Sequence, residues 1–450
     1  MKQLKLKVQP IKLKNALDFW ATEETLLARD AWVKGPQKPR DVLRSKEIPP
    51  QDCSLEALSK KGLVEILTPL TIQNVEDVEK IPHDVDLIVV SDTSDWFAED
   101  SVLEKIAALD KPIVAEWDNF GYSIHGRLSK FRLKEFSKAK HYITAGCDEL
   151  LSTLNAIRGW KFLRTMKVLY IGRFPSHSVV LGKGINFEYL NKRFEVEFVQ
   201  LSFDDYIKAV EEAKSNEDVK GIVENWKKEF TIMDHREENL EFYARIYKAL
   251  KTLLERYKCN ALTIDCAALP SIEYVPCVSF SLLIGEGIPC GCEADIPTLF
   301  AMAMLMGISE KPAMMGNLNE NVMHADIEQN IIVLNHDVVP LSMACQRCKA
   351  RLRDFHATGK GLTPYVELQK EMPVTIVGMH WDMNKIWATK GSIVETEDTT
   401  HCRISVMIKV KDAKLITKEA FGHHIVMTYG DNLKALESLA NLLKIEYVTL

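Results

Sequence analysis

Glu293 and Asp295 stand in Gly287-Ile288-Pro289-Cys290-Gly291-Cys292-Glu293-Ala294-Asp295-Ile296-Pro297-Thr298, between a short apolar strand-like run and a very apolar helix-like run from Ile296 to Met306. Carboxylates so placed lie at the mouth of a sheet, the edge where open α/β folds collect their chemistry. The two differ in role. Asp295 directly precedes Ile296-Pro297, and proline belongs in a helix's first turn, so Asp295 reads as a helix N-cap. Glu293 has no capping role. Flanked by Cys292 and Ala294, it must be paired, protonated or bound to a metal if it is buried.

Histidines are the next candidates. His423-His424 follows Phe421-Gly422 and opens a strand-like run. Consecutive strand residues face opposite ways, so one histidine faces a site while the other faces core or solvent. His336 ends the run Val333-Leu334-Asn335, and His356 borders the loop Ala357-Thr358-Gly359-Lys360-Gly361; both also read as ordinary structural histidines. Cys345-Gln346-Arg347-Cys348 has the spacing of half a zinc site, but no second pair follows at a suitable distance, and Cys290 and Cys292 complete it only by accident of folding. Gly182-Lys183-Gly184 and Gly359-Lys360-Gly361 lack phosphate-loop or dinucleotide spacing, and there is no Gly-x-Ser-x-Gly elbow, which argues against nucleotide binding and serine hydrolysis. In the N-terminal third, the segments Asp92-Thr93-Ser94-Asp95-Trp96 and Glu116-Trp117-Asp118-Asn119-Phe120-Gly121-Tyr122 bring aromatic and polar groups to the ends of strands. Trp96, Trp117 and Asn119 are candidates for meeting a ligand there; ordinary loop chemistry accounts for them equally.

The elements that must position these groups fall into three blocks. Over residues 1–165, short apolar runs (Val85 to Asp92, Lys111 to Glu116, His141 to Ala145) alternate with helical patterns, which implies a parallel sheet. Residues 166–310 repeat that build, from Met166-Lys167-Val168-Leu169-Tyr170-Ile171-Gly172 to Ala261-Leu262-Thr263-Ile264-Asp265, with a long amphipathic pattern from Glu237 to Tyr257. Residues 311–450 carry strands with few helices between them and a closing helix from Leu433 to Leu443, which reads as an antiparallel β domain. The expected fold is therefore two α/β parallel-sheet domains followed by an antiparallel, barrel-like β domain. The alternating basic start, Met1 to Lys14, reads as an edge strand with a charged outer face.

With 450 residues, 46% hydrophobic and 27% charged, the composition is that of an ordinary globular protein with ample core. A net charge of −6 gives no general attraction to nucleic acid or anionic membrane. No apolar run approaches a membrane span, and the N-terminus lacks a signal-peptide core. Ten cysteines, mostly in apolar contexts, suit a reducing cytoplasm better than a disulfide framework.

Taken together, these pieces resemble the L-fucose isomerase and L-arabinose isomerase superfamily, especially its fucose isomerase-like members, over roughly residues 166–450. The resemblance rests on Cys266, Tyr274-Val275-Pro276-Cys277, Gly287-Ile288-Pro289 and Cys292-Glu293-Ala294-Asp295, then Met315-Gly316-Asn317-Leu318, Asn335-His336, Arg353-Asp354-Phe355-His356-Ala357-Thr358-Gly359-Lys360-Gly361 and Gly422-His423-His424-Ile425-Val426-Met427. It implies two Rossmann-like domains and a C-terminal β-barrel domain, assembled as a trimer, tetramer or hexamer. The implied activity is ketol isomerisation of a free aldose with a divalent metal, usually Mn(II). Glu293 matches a metal-binding carboxylate that also moves protons, and His336 and His424 match metal-site histidines. Asn317 stands where a second carboxylate belongs. Arg173, in Gly172-Arg173-Phe174-Pro175-Ser176-His177, is a candidate for an anionic or hydroxyl-rich substrate, and His356 and His423 join it as substrate-binding candidates.

The asparagine matters because an amide lends a carbonyl oxygen to a metal but cannot shuttle a proton. Three readings follow. Asn317 coordinates while Asp337, Asp295 or Glu320 takes its proton role; or Glu293 is the sole base, for a different sugar or sugar acid; or the chain binds a sugar without isomerising it.

Overall fold

The structure is a computed structural model that describes residues 4–13, 53–91, 98–115, 128, 130–133, 136, 140–142, 147–173, 177–178, 183–215, 217–233, 236–319, 326–400 and 402–450. The described residues divide into two compact units, one up to Arg158 and the other Gly159–Leu450.

In the first unit, β1 (Leu6–Leu13), β2 (Val64–Ile66), β3 (Leu70–Ile72), β4 (Leu87–Ser91), β5 (Ile113–Ala115) and β6 (His141–Tyr142) form one parallel sheet in the order β2-β1-β4-β5-β6, with β3 also on β1. The helices α1 (Leu55–Lys60), α2 (Val75–Val78) and α3 (Asp100–Ala108) lie between the strands in sequence. Val102, Leu103 and Ile106 of α3 pack into the same core as Ile88 and Val90 of β4. One expectation is corrected here. The basic N-terminal segment is not an edge: β1 has β2 and β3 on one side and β4 on the other. The apolar/charged alternation that suggested an edge stops at Val8. Gln9, Pro10 and Ile11 are all buried, as an interior parallel strand covered on both faces requires.

The helix α4 (Cys147–Arg164) carries the chain into the second unit. There β7 (Lys167–Ile171) is followed by the short hairpin β8 (His177–Ser178) and β9 (Lys183–Gly184), and then by β10 (Glu197–Leu201), β11 (Thr231–Ile232), β12 (Ala261–Ile264) and β13 (Cys290–Gly291). A parallel sheet runs β10-β7-β12-β13. Its helices are α5 (Phe187–Phe194), α6 (Phe203–Glu212), α7 (Asp218–Glu229), α8 (Leu240–Tyr257), α9 (Cys277–Gly285) and α10 (Ile296–Ser309). Strand order reverses beside β7, which makes the C-terminal ends of β7, β12 and β13 the natural crevice.

Beyond α10 come β14 (Ala313–Asn319), β15 (Ile331–His336), β16 (Arg351–Arg353), β17 (Thr363–Tyr365), β18 (Pro373–Met379), β19 (Lys385–Glu397), β20 (Ile404–Val410), the helix α11 (Ala413–Glu419), β21 (Ile425–Tyr429), the helix α12 (Leu433–Leu442) and β22 (Glu446–Thr449). The strands β18-β21-β14-β15-β20-β19 close back onto β18, every pair antiparallel, to make a six-stranded barrel. The expected barrel-like domain is thus a closed one, which leaves no bare edge. Past α12, β22 adds in parallel to β19, an element outside the sequence expectation. Every residue of α10 from Ile296 to Ile308 is buried. A helix apolar on all sides must be enclosed, and α10 lies against β13 of the sheet and against β14, β18 and β21 of the barrel.

Candidate metal centre

The turn between β13 and α10 delivers Glu293. Glu293 and Ala294 both adopt left-handed backbone, φ +55° and +53°. For non-glycine residues that costs about 1–2 kcal/mol each, so the surroundings must impose it. They do so through four backbone bonds. The Cys292 amide donates to Met315 Sδ (3.2 Å), the Glu293 amide to Cys266 Sγ (3.2 Å), the Ala294 amide to the Ile264 carbonyl (3.1 Å) and the Asp295 amide to the Cys292 carbonyl (3.0 Å). Asp295 then caps α10, accepting from the Thr298 amide at 3.1 Å and the Thr298 hydroxyl at 2.8 Å.

Asp295 does more than cap. Its Oδ2 also lies 2.9 Å from Nδ1 of His424, which is 1% exposed. A carboxylate on Nδ1 fixes the imidazole with its proton there and leaves Nε2 as a bare lone pair, an arrangement typical of metal-ligating histidines. His424 Nε2 is buried and has no hydrogen-bond partner. Neither has Nδ1 of buried His336, whose ring centre lies 5.0 Å from that of His424. Two bare, buried imidazole nitrogens carry a desolvation cost that a cation would offset. His423, the neighbour of His424, is partly exposed and sets Nε2 3.4 Å from Glu293 Oε2. Glu293, His423 and His424 hold one ligand atom each within 4.8 Å of one another. The donor set of carboxylate and imidazoles therefore fits a divalent transition metal.

The electrostatics agree. The Glu293 carboxyl is drawn down to about 2, chiefly by its contact with His423, against an opposing effect of burial and with help from His424 and His336. His423 is raised, mainly by the same contact. His336 is lowered to about 4 by burial first and His424 second, so its imidazole is neutral at ordinary pH.

Register places the remaining strand residue. Asn317 on β14 pairs with Asn335 on β15, and Gly316 pairs with Ile425 on β21. Asn317 therefore lies on the strand between those that end in His336 and begin after His424. Directly paired residues share a face, so Asn317 shares one with Asn335, a step out of phase with His336.

Beside His336, Asp337 is buried, contacts His356 Nε2 through Oδ2 and accepts the Arg403 amide through Oδ1 at 2.9 Å. Cys402 completes a second group with Asp337 and His356. Burial pushes the Cys402 thiol up to about 12, with the charges of Asp337 and Glu293 adding to it. Arg173, after β7, donates through Nε to Oδ2 of the fully buried Asp265 at 2.7 Å, across the point where strand order reverses. Trp96, Trp117, Asn119 and Glu320 lie outside the described residues.

Sequence reasoning passed over Asp265 as a partner for Arg173, although it ends its strand as Glu293 ends its own. It passed over Cys402 entirely, because nothing around that residue signals chemistry. The expectation of cysteines without disulfides is corrected in part: Cys345 and Cys348 are joined to each other, as are Cys53 and Cys147, and Cys292 lies against Cys266, Sγ to Sγ 2.8 Å. A two-residue spacing lets thiols meet within their own turn, here with Cα atoms 5.2 Å apart.

Residues 188–311 match the family model of the L-arabinose isomerase central domain, a segment that contains Glu293 and is well under half of the chain. No curated protein matches the chain at a significant level. Among solved structures, an ABC transporter solute-binding protein from Burkholderia multivorans is similar at 12% identity, over 58% of this chain and 79% of that one, with a TM-score of 0.14. A likeness at that TM-score carries no argument. The central-domain match supports the isomerase superfamily and, more generally, a sugar isomerase.

Proposed function

We propose that this chain is a metal-dependent ketol isomerase that interconverts a free aldose, of pentose or deoxyhexose type, with its ketose through an enediol. The observation that carries the reading is the pair of bare imidazole nitrogens on His336 and His424 beside the ionised Glu293. Glu293, His336 and His424 would hold the cation, most readily Mn(II), with the Asn317 carbonyl as a further oxygen donor from the neighbouring strand. Such a cation would polarise the sugar carbonyl and the neighbouring hydroxyl. Asp295 keeps His424 in the ligating tautomer.

Glu293 takes the proton from C2 of the aldose and returns it to C1, on one face of a cis-enediol, while the O2 hydroxyl proton passes to O1 by way of solvent. The other candidates for a second base are engaged or undescribed. Asp295 is bonded to Thr298 and His424, Asp337 to His356 and the Arg403 amide, and Glu320 lies outside the described residues. That supports Glu293 as sole base, with Asn317 orienting hydroxyls rather than moving protons. His423 holds Glu293 ionised. Arg173, fixed by Asp265, and His356 remain substrate-binding candidates, with Trp96, Trp117 and Asn119 proposed from the first block.

In this reading the protein is a cytoplasmic homo-oligomer (trimer, tetramer or hexamer) acting on a small sugar, with no nucleic-acid or membrane partner. No helix among the described residues is long and apolar enough to cross a membrane. The test is a Mn(II)-loaded sample assayed for interconversion across pentoses, deoxyhexoses and hexoses. Turnover that disappears in Glu293→Gln supports the reading, and no interconversion of any of them refutes it. Asn317 favours one alternative, a sugar-binding protein on the isomerase scaffold. Calorimetric sugar binding without turnover, unchanged by Asn317→Asp, would establish it.

A further inference from the structure

A second trio of ligand-type side chains neither moves a proton nor holds the cation in that mechanism. Asp337, His356 and Cys402 offer an oxygen, a nitrogen and a sulfur atom, all within 4.8 Å of one another. They come from three separate segments: Asp337 directly after β15, His356 from the loop between β16 and β17, and Cys402 just before β20. Each is held by its own device. The Arg403 amide takes Oδ1 of Asp337 and leaves Oδ2 toward His356. His356 itself has φ +47°, left-handed backbone in a residue other than glycine, and its ring stacks on Phe355 at 4.0 Å.

The loop that carries His356 is clamped. Buried Arg403 pairs with buried Asp354, whose Oδ2 also accepts the Gly359 amide at 2.7 Å. The Phe355 amide donates to the Lys360 carbonyl at 2.7 Å. Gly361 closes the turn with φ +77°, and a Cβ there would lie 2.6 Å from Phe355 Cβ. So much construction delivers one strained imidazole to one buried carboxylate. An ion pair accounts for Asp337 and His356, but not for a thiol as third neighbour. Cys402 is 6% exposed and is not part of a disulfide.

We propose that Asp337, His356 and Cys402 form a second cation site, separate from the one at Glu293, for a thiophilic divalent ion of the Zn(II) class. A thiolate, an imidazole and a carboxylate together select zinc-like ions, whereas Mg(II) and Ca(II) take oxygen ligands. Three protein ligands leave a fourth tetrahedral position open, and the partly exposed His356 marks the side from which it is reached. The site stands whether or not the protein isomerises a sugar.

The experiment is a Co(II) titration, under reducing conditions, of the metal-free, full-length protein carrying Cys345→Ser and Cys348→Ser, so that a reduced pair there cannot compete. A thiolate-to-Co(II) charge-transfer band in the near ultraviolet is expected. It should vanish in Cys402→Ser, weaken at least tenfold in affinity in His356→Gln, and persist in Glu293→Gln. Zinc content by elemental analysis should fall by one equivalent per chain in Cys402→Ser. Near-ultraviolet circular dichroism checks the fold, and His356→Gln, on a partly exposed side chain, serves if Cys402→Ser does not fold. The absence of a thiolate band, or a band indifferent to both substitutions, overturns the proposal. A cation lost only with Glu293 also overturns it while leaving the isomerase reading intact. A Cys402-dependent cation in a protein without sugar turnover does the reverse.

Discussion

Replacing Asp295 by asparagine separates its two tasks. Oδ1 accepts from the Thr298 amide at 3.1 Å, and an asparagine oxygen can keep that cap. Oδ2 faces both the Thr298 hydroxyl and His424 Nδ1, at 2.8 and 2.9 Å. An amide nitrogen there can donate to the hydroxyl but cannot accept from the imidazole. His424 must then move its proton to Nε2, the nitrogen the cation needs. Loss of such a supporting carboxylate lowers metal affinity about 10–100-fold, which is about 1.4–2.7 kcal/mol. Stability without metal should change by less than about 1 kcal/mol, since the cap survives. Asp295→Ala should cost more, about 2–5 kcal/mol, from the lost cap and the unpaired, fully buried His424 Nδ1. Mn(II) calorimetry measures the first effect, and urea unfolding in chelator the second. Mn(II) affinity for Asp295→Asn within about twofold of the parent would refute the tautomer argument. So would a stability loss equal to that of Asp295→Ala.

Other expectations follow from the same contacts. Glu293→Gln should lower kcat about 10²–10⁴-fold, as loss of a general base does, with sugar binding by calorimetry retained; full activity would reject the catalytic role. In chelator, stability should decline as pH falls from about 6.5 to about 4, because His336 is held near 4 in the fold and the unfolded chain binds more protons across that window. His336→Gln should flatten the slope in a urea-midpoint series. A further decline below about 4.5, as Glu293 is protonated on the way to its folded value of about 2, should be absent in Glu293→Gln. Arg403→Met, which strands buried Asp354, should cost about 3–5 kcal/mol in urea unfolding; Asp354→Leu added to it should restore most of that.

Much of this was legible in one dimension because it depends on local pattern. The parallel sheets announce themselves as short apolar runs between helical periods. The cap at Asp295 follows from the residues just after it, and α10 from a run too apolar to face water. The edge reading of β1 failed because neighbours on both sides of a strand belong to distant segments. The joining of Cys345 to Cys348 was missed because their spacing serves a metal and a local bridge equally well.

The residue types of Glu293, His336 and His424 left each histidine equally readable as structural, and it was the resemblance carried by their ordered segments that nominated a metal centre. Which groups support it was decided only in three dimensions. Asp295 became the partner of His424 across 129 positions of chain, and Arg173 that of Asp265 across 92. Asp337, His356 and Cys402 met because β15, the loop after β16 and the approach to β20 converge in and beside one closed barrel. Side-chain chemistry is a property of each residue. The bare nitrogen, the lowered carboxyl and the clustered side chains arise from burial and proximity, which only the packed chain supplies.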